Sequence, residues 1–156
     1  MVEIKKKKLT GEELIEFARF DGIGLSKVSL TGLHDLDASQ LQTFFELSGS
    51  TLRELKLTLQ NGQPLEGALE LDWAALTPSL RRLELRNVPI PSSLFGHPTL
   101  ERLRVIKCDI HGDNVQIGAA SDAAATSLER LVLEETTAHV EKLSIGPRSD
   151  LELLEL

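Results

Sequence analysis

Residues 99–110 read Thr-Leu-Glu-Arg-Leu-Arg-Val-Ile-Lys-Cys-Asp-Ile, with apolar residues at 100, 103 and 105, a cysteine at 108 and a further apolar residue at 110. The first three follow the spacing L-x-x-L-x-L, whose second half alternates apolar with polar as a half-buried strand does. The same word stands at Leu25-Val28-Leu30, Leu52-Leu55-Leu57, Leu80-Leu83-Leu85, Leu128-Leu131-Leu133 and Leu151-Leu154-Leu156. First leucines lie 27, 28, 20, 28 and 23 residues apart, within the period of about 20 to 29 residues of a strand-plus-return unit. Thr51-Leu-Arg-Glu-Leu-Lys-Leu57, Ser79-Leu-Arg-Arg-Leu-Glu-Leu85 and Ser127-Leu-Glu-Arg-Leu-Val-Leu133 agree almost letter for letter.

A set of amphipathic helices competes with this reading, because Leu, Glu and Arg favour helix and an apolar spacing of three is also helical. Against it stand the alternation that ends each word, Val or Ile at alternating positions, and Pro78 and Pro98 just ahead of two words. Strands this far apart in sequence stack in parallel only through a crossover at every step, and crossovers are right-handed. A single unit cannot bury its own apolar face, so the stack stands or falls together.

The series Leu100, Leu103, Val105, Cys108, Ile110 resembles the repeat of the leucine-rich-repeat family. The stretch Leu9-Thr10, then Leu14-Ile15 and Ala18, ahead of a strand resembles the cysteine-containing subfamily, common in the substrate-reading part of F-box ubiquitin-ligase receptors. The resemblance implies an α/β, right-handed leucine-rich-repeat solenoid, with a parallel β-sheet on its concave face and two helices followed by mostly irregular returns on its convex face. It also implies a structural role for Cys108 under the turn after its strand, a reactive thiol being the rival reading. In the preceding repeat Leu80, Leu83, Leu85, Val88 and Ile90 keep the last apolar position and lose the polar one. The F-box is absent from these 156 residues, so a ubiquitin-ligase receptor is the alternative function, not the first.

The first two returns carry helix-start signals. Thr10 with Glu13, and Asp37 with Gln40, form capping-box patterns ahead of apolar runs, predicting helices of roughly ten residues. Later returns hold Pro89, Pro91 and Pro98, or Gly112, Gly118 and an Ala-rich stretch, and are expected to be irregular. Val140-Glu-Lys-Leu143-Ser-Ile145 repeats the word only 12 residues after its predecessor, and reads either as an extra strand on the convex side or as a repeat with a tight return. One domain over 1–156 is expected, with 1–8 a basic tail or part of an N-terminal cap, and strands near 25–30, 52–57, 80–85, 100–105, 128–133 and 151–156. The final word has no polar cap after it, which suggests a longer array or edge-to-edge association through that strand.

Composition narrows the function. A net charge of −7 speaks against nonspecific nucleic-acid binding, and one Trp with no Tyr leaves no stacking platform for bases. No apolar run reaches the roughly 20 residues that span a bilayer. Lone Cys108 and the lack of a signal peptide point to an intracellular setting, cytoplasmic or nuclear. His34, His97, His111 and His139 are scattered, and no phosphate-binding, nucleophile-elbow or zinc-protease motif occurs. The richest local group, Asp109, His111 and Asp113, reads as a solvated polar turn with an incomplete ligand set. Neither enzyme activity nor a cofactor or metal is expected.

What remains is the outer face of the sheet. Counting outward from the buried leucines, one row runs Lys27, Glu54, Arg82, Arg102, Arg130, Leu153; the next runs Ser29, Lys56, Glu84, Arg104, Val132, Glu155; Thr58, Arg86, Ile106 and Glu134 follow. Arg82, Arg102 and Arg130 form a basic column flanked by Arg86 and Arg104, with Lys56 and Glu84 beside it. Such arginines either keep a short sheet soluble or dock an acidic protein surface. The expected function is a non-enzymatic protein–protein interaction scaffold, or a subunit of a larger assembly, binding through this face and through the open C-terminal edge.

Overall fold

In the computed structural model the backbone is described except at residues 1, 8, 22–24, 35, 60–70, 92–93, 95–96, 98, 118–129, 135–136, 146–151 and 156. Side chains are described for the rest except at 2–7, 20–21, 25, 111–117, 137–145 and 152–155. The chain is α/β. Its strands are β1 (Val2–Lys7), β2 (Leu25–Leu33), β3 (Glu54–Leu59), β4 (Arg82–Arg86), β5 (Ile90–Pro91), β6 (Arg102–Ile106), β7 (Asp109–Ile117), β8 (Arg130–Glu134), β9 (Thr137–Ile145) and β10 (Glu152–Glu155). The helices are α1 (Gly11–Asp21), α2 (Ala38–Ser48) and α3 (Trp73–Leu76).

Seven strands form one sheet in the order β1-β2-β3-β4-β6-β8-β10, and every neighbouring pair is parallel. Each repeated word thus contributes one strand, laid beside the strand of the word before it. The register stacks equivalent leucines: Val28, Leu55, Leu83, Leu103 and Leu131 form one column and Leu30, Leu57, Leu85, Val105 and Leu133 the next. All but Leu133, which packs against the cluster partly buried, are sealed in a single apolar core. The first leucines of three words, Leu52, Leu80 and Leu100, precede their strands and are also buried. Full burial of one such side chain contributes about 1.5–3 kcal/mol, which is why the word repeats with so little drift.

Both predicted helices are present, each 11 residues long. At α1 the Glu13 N–H donates to Thr10 Oγ1 at 3.2 Å, and Glu13 Oε1 accepts from the Thr10 N–H at 3.2 Å. At α2 the Gln40 N–H donates to Asp37 Oδ1 at 2.8 Å, and Gln40 Oε1 accepts from the Asp37 N–H at 3.0 Å. Each reciprocal pair satisfies N–H groups that the first helical turn leaves without a partner. Leu14, Phe17 and Ala18 of α1 and Leu41, Phe44 and Phe45 of α2 are buried in the same core as the strand leucines. Phe45 packs against Trp73 of the short α3 with ring centroids 5.1 Å apart and planes tilted by 58°; α3 is started by Asp72, whose Oδ1 accepts from the Ala75 N–H at 3.2 Å.

Gly49 closes α2 with φ −64°, so conformation does not demand glycine there. Space does: a Cβ at this position would collide with the carbonyl oxygens of Leu76 and Phe45. The end of α2 and the end of α3 approach backbone to backbone, and only hydrogen fits between them.

Three expectations change. Lys5 to Lys7 lie within β1, which pairs in parallel with β2 at the edge of the sheet, so of the two readings of 1–8, a tail or part of an N-terminal cap, the tail gives way to an edge strand; Lys8 lies outside the described residues. The later returns, expected to be irregular, contain strands. β4, β6 and β8 are followed in the chain by β5, β7 and β9, which form a second parallel sheet in the order β5-β7-β9. The short-spaced segment 140–145 belongs to β9 of this sheet, so it is an extra strand and not a seventh unit of the first. Buried Val88, Ile90 and Ile110 carry the start of the second sheet into the common core. The third change concerns β10, where Glu152 pairs with Arg130 and Leu153 with Leu131. The word Leu151-Leu154-Leu156 had set Leu154 opposite Leu131, one residue away. The Ala-rich stretch before Leu128 lies outside the described residues.

The turn joining the two sheets is built on left-handed residues. Asn87 (φ 59°) follows β4 and Lys107 (φ 51°) follows β6. Their N–H groups donate to the carbonyls of Ile106 at 3.2 Å and Glu134 at 2.9 Å on the next strand.

Candidate interaction face

The register across the seven-stranded sheet orders the outward positions into rows. Lys27, Glu54, Arg82, Arg102, Arg130 and Glu152 stand opposite one another in sequence. Ser29, Lys56, Glu84, Arg104, Val132 and Leu154 form the second row. Thr58, Arg86, Ile106 and Glu134 form the third. The expected rows are therefore correct up to β8, while β10 contributes Glu152 and Leu154 in place of Leu153 and Glu155.

Side chains along these rows interlock. In the first row Lys27 Nζ lies 3.3 Å from Glu54 Oε2, and Glu54 Oε1 lies 3.4 Å from Arg82 Nη1. In the second, Lys56 Nζ pairs with Glu84 Oε2 at 3.2 Å, and Glu84 Oε1 with Arg104 Nη1 at 3.3 Å. Arg104 also reaches across to the third row, its Nη2 donating to both carboxylate oxygens of Glu134 at 2.9 and 3.1 Å. Glu134, ahead of Glu84, holds the Arg104 guanidinium more firmly protonated. The acids of the face thus stand between its bases, and the cross-strand pairs that result are each worth about 0.2–1 kcal/mol.

This changes the weight of the expected arginine cluster. Arg104 is already committed to two carboxylates, and Arg82 shares Glu54 with Lys27. Arg102, exposed between Arg82 and Arg130, forms no ion pair with a described residue, and neither does exposed Arg86. The face joins a compensated ladder to the register positions where Arg102 stands between Arg82 and Arg130.

A fourth row was missed in the sequence. Arg53, Arg81 and Glu101 enter their strands in step, the N–H of each donating to the carbonyl of the residue before it in the row, Ser26, Arg53 and Arg81, at 2.8 Å. Arg53 and Arg81 are exposed, and Arg81 Nη1 lies 3.9 Å from Glu101 Oε1. The position directly after the first leucine of each word carried that signal; counting outward only from the second leucine passed over it.

Behind the face, Cys108 is buried, its Sγ 3.4 Å from the Leu85 carbonyl oxygen and 3.2 Å from that of Ile106. Its one S–H is shared between these two carbonyls, that of Ile106 also accepting the Asn87 N–H. Burial pushes its thiol pKa up, against the pull of backbone N–H groups at Val88, Ile106 and Asn87, so it is a poor nucleophile. One repeat earlier Val88 occupies the equivalent place, and the polar role falls to Asn87, whose Nδ2 donates to the Leu59 carbonyl at 3.1 Å.

Buried His97 joins the returns. Its Nδ1 accepts from the Thr99 N–H at 3.2 Å, so Nε2 carries the proton and donates to the Thr77 carbonyl at 3.0 Å. Desolvation lowers its pKa despite that bond, which fixes the neutral ring. His34 Nδ1 lies 3.1 Å from the Gly32 carbonyl oxygen, remote in sequence from His97. Among the described residues no three His, Cys, Asp or Glu side chains are grouped to hold a metal, and no helix is long and apolar enough to cross a membrane.

Comparison of the chain with protein-family models, curated proteins and solved structures finds no match. The functional reading therefore stands on the geometry of the face.

Proposed function

We propose that this chain is a leucine-rich-repeat solenoid acting as a non-enzymatic protein-interaction module, and that the outer face of its seven-stranded sheet docks an acidic segment of a protein partner. One observation carries the reading: Arg82, Arg102 and Arg130 stand in register on adjacent strands, with exposed Arg102 at the centre free of any ion pair to a described residue. Strands sit about 4.8 Å apart, a spacing at which neighbouring guanidinium groups repel each other and gain when a carboxylate is inserted between them. Planar, bidentate donors of this kind are the side chains most suited to carboxylate recognition at an interface. Arg53, Arg81 and Arg86 widen the basic area, while the ladder from Lys56 to Glu134 gives it a compensated flank.

The test is affinity purification on the full chain, with bound proteins quantified at low and at high salt. The wild-type chain is expected to retain a salt-sensitive acidic partner that Arg102→Glu together with Arg86→Glu loses. Glu12→Lys with Glu16→Lys on exposed positions of α1 is expected to leave retention unchanged. Equal retention by the arginine variant would move the site off this face.

A further inference from the structure

The words Leu52-Arg-Glu-Leu55, Leu80-Arg-Arg-Leu83 and Leu100-Glu-Arg-Leu103 each place two polar residues between two buried leucines. The leucines take the core side, so both residues between them turn outward: Arg53, Arg81, Arg82 and Arg102 are exposed, and Glu54 and Glu101 partly so. The strands concerned are neighbours in the order β3-β4-β6. Backbone hydrogen bonds hold them level at this point. The Arg81 and Arg82 N–H groups donate to the Arg53 carbonyl at 2.8 and 3.0 Å, and the Glu101 and Arg102 N–H groups to the Arg81 carbonyl at 2.8 and 2.9 Å. Four arginines and two glutamates therefore belong to one patch at the entry of three adjacent strands.

The charges of this patch do not balance. Glu54 is shared between Arg82 at 3.4 Å and Lys27 at 3.3 Å, and Glu101 reaches Arg81 only at 3.9 Å. Arg53 and Arg102 form no ion pair with a described residue. They enter β3 and β6, on either side of β4, two strand spacings or about 9.6 Å apart. An Arg side chain is long enough to cover half of that distance, so the two can meet over β4. The local excess of positive charge stands in a chain whose net charge is −7. One carboxylate supplies a single negative charge and two acceptor oxygens, whereas a phosphoryl group on Ser or Thr supplies about 1.5 to 2 negative charges and three strong acceptors. The planar fork of arginine engages phosphate oxygens two at a time.

We propose that this patch binds a phosphorylated serine or threonine of the partner segment, with Arg53 and Arg102 closing on the phosphoryl group from β3 and β6 and with Arg81 and Arg82 of β4 between them in register. The inference rests on the docking reading given above and narrows it: phosphorylation of the partner turns docking on. It also gives Arg53 a part in recognition that a carboxylate held by Arg102 does not require.

The test uses the full chain and three pools of short fluorescent peptides, with randomised positions around a fixed phosphoserine, glutamate or serine, each titrated by anisotropy at low salt. The phosphoserine pool is expected to bind about tenfold more tightly than the glutamate pool, the size of one further charge-assisted hydrogen bond, and the serine pool not measurably. Inorganic phosphate should displace the phosphoserine pool more effectively than sodium chloride of equal ionic strength. Arg53→Gln should lower phosphoserine affinity by about tenfold and leave glutamate affinity unchanged, while Arg102→Gln should lower both. Circular dichroism shows whether each variant is folded, and Arg53→Lys, which keeps the charge and loses the fork, should recover part of the preference. Glutamate binding as tight as phosphoserine binding overturns the phosphate assignment and leaves the docking reading standing. Binding of neither pool above the serine pool overturns both. A phosphoserine preference that persists undiminished in folded Arg53→Gln and Arg102→Gln variants overturns the placement of the site.

Discussion

Replacing Arg102 by Glu is expected to stabilise the fold while abolishing binding of an acidic partner. The wild-type residue stands opposite Arg82 on one side and Arg130 on the other. A glutamate there turns two like-charge neighbours into opposite-charge ones, and directly opposed cross-strand charges contribute about 0.2–1 kcal/mol each. Arg82 already shares Glu54 at 3.4 Å, and the register sets Glu152 beside Arg130, so the lower part of that range applies to each. A net gain of about 0.5–1 kcal/mol follows, which for a chain of this size raises Tm by about 1–4 °C. Arg102→Gln removes the repulsion without adding attraction and should reach about half of it. Thermal unfolding followed by circular dichroism in low salt measures the shift. Repeating it in 1 M NaCl, where the screening length falls to about 3 Å, should erase it. A loss of stability in Arg102→Glu, or a gain that survives high salt, would refute the account of Arg102 as an electrostatically strained centre.

Three further outcomes test the fold. Gly49→Ala should destabilise by about 1–3 kcal/mol in denaturant unfolding, as overpacking does, although helix propensity alone favours alanine by about 1 kcal/mol; the difference reports the contact with the Leu76 and Phe45 carbonyls. Lys107→Gly, relieving a left-handed backbone at φ 51°, should add about 0.5–1 kcal/mol, since left-handed residues other than glycine carry about 1–2 kcal/mol of strain and glycine returns part of that in chain entropy. His97 is buried neutral with a lowered pKa, so the unfolded chain binds its proton first; stability is full above the unfolded value of about 6.5 and falls as pH drops below it. Unfolding free energies between pH 8 and 5 should show that loss in the wild type and a flatter profile in His97→Gln.

The main sheet was legible in the sequence because burial enforces it. Leucines three and then two positions apart in a word that ends in strand-like alternation, returning at intervals set by one crossover, bury their core as stacked parallel strands, and so the strand positions, their parallel order and the register as far as β8 could be read from spacing. The helix starts were legible for a similar reason: Thr10 with Glu13 and Asp37 with Gln40 are local chemistry, complete within four residues. The second sheet was not. Asp109-Ile-His-Gly-Asp-Asn-Val-Gln-Ile117 holds the glycine, asparagine and aspartates of a turn, and becomes a strand because Thr137–Ile145 lies alongside it. The register of β10 was hidden by degeneracy, since apolar residues at 151, 153, 154 and 156 allow two alignments; the one adopted sets Glu152 opposite Arg130 and leaves no further arginine neighbour in that row. Asn87 was missed because the family pattern asks for the polar residue one position later.

The two central rows of the face show why Arg102 asks for an explanation that solubility does not provide. The second row places Lys56, Glu84 and Arg104 in alternation and adds Glu134 from the third, keeping the sheet hydrated and stabilising it by cross-strand pairing. The first row begins the same way, with Lys27, Glu54 and Arg82, then departs from it at β6. A glutamate at position 102 would have continued the alternation, hydrated the surface equally and removed a repulsion. In the proposed reading an arginine there costs stability in the isolated chain, and a carboxylate supplied by a partner offsets that cost. That cost is the physical argument for a partner, and it is why the stabilising effect of Arg102→Glu and its loss of binding have to be measured on the same variant. If the variant gains stability and still binds, the row is a tolerated irregularity and the docking surface lies elsewhere.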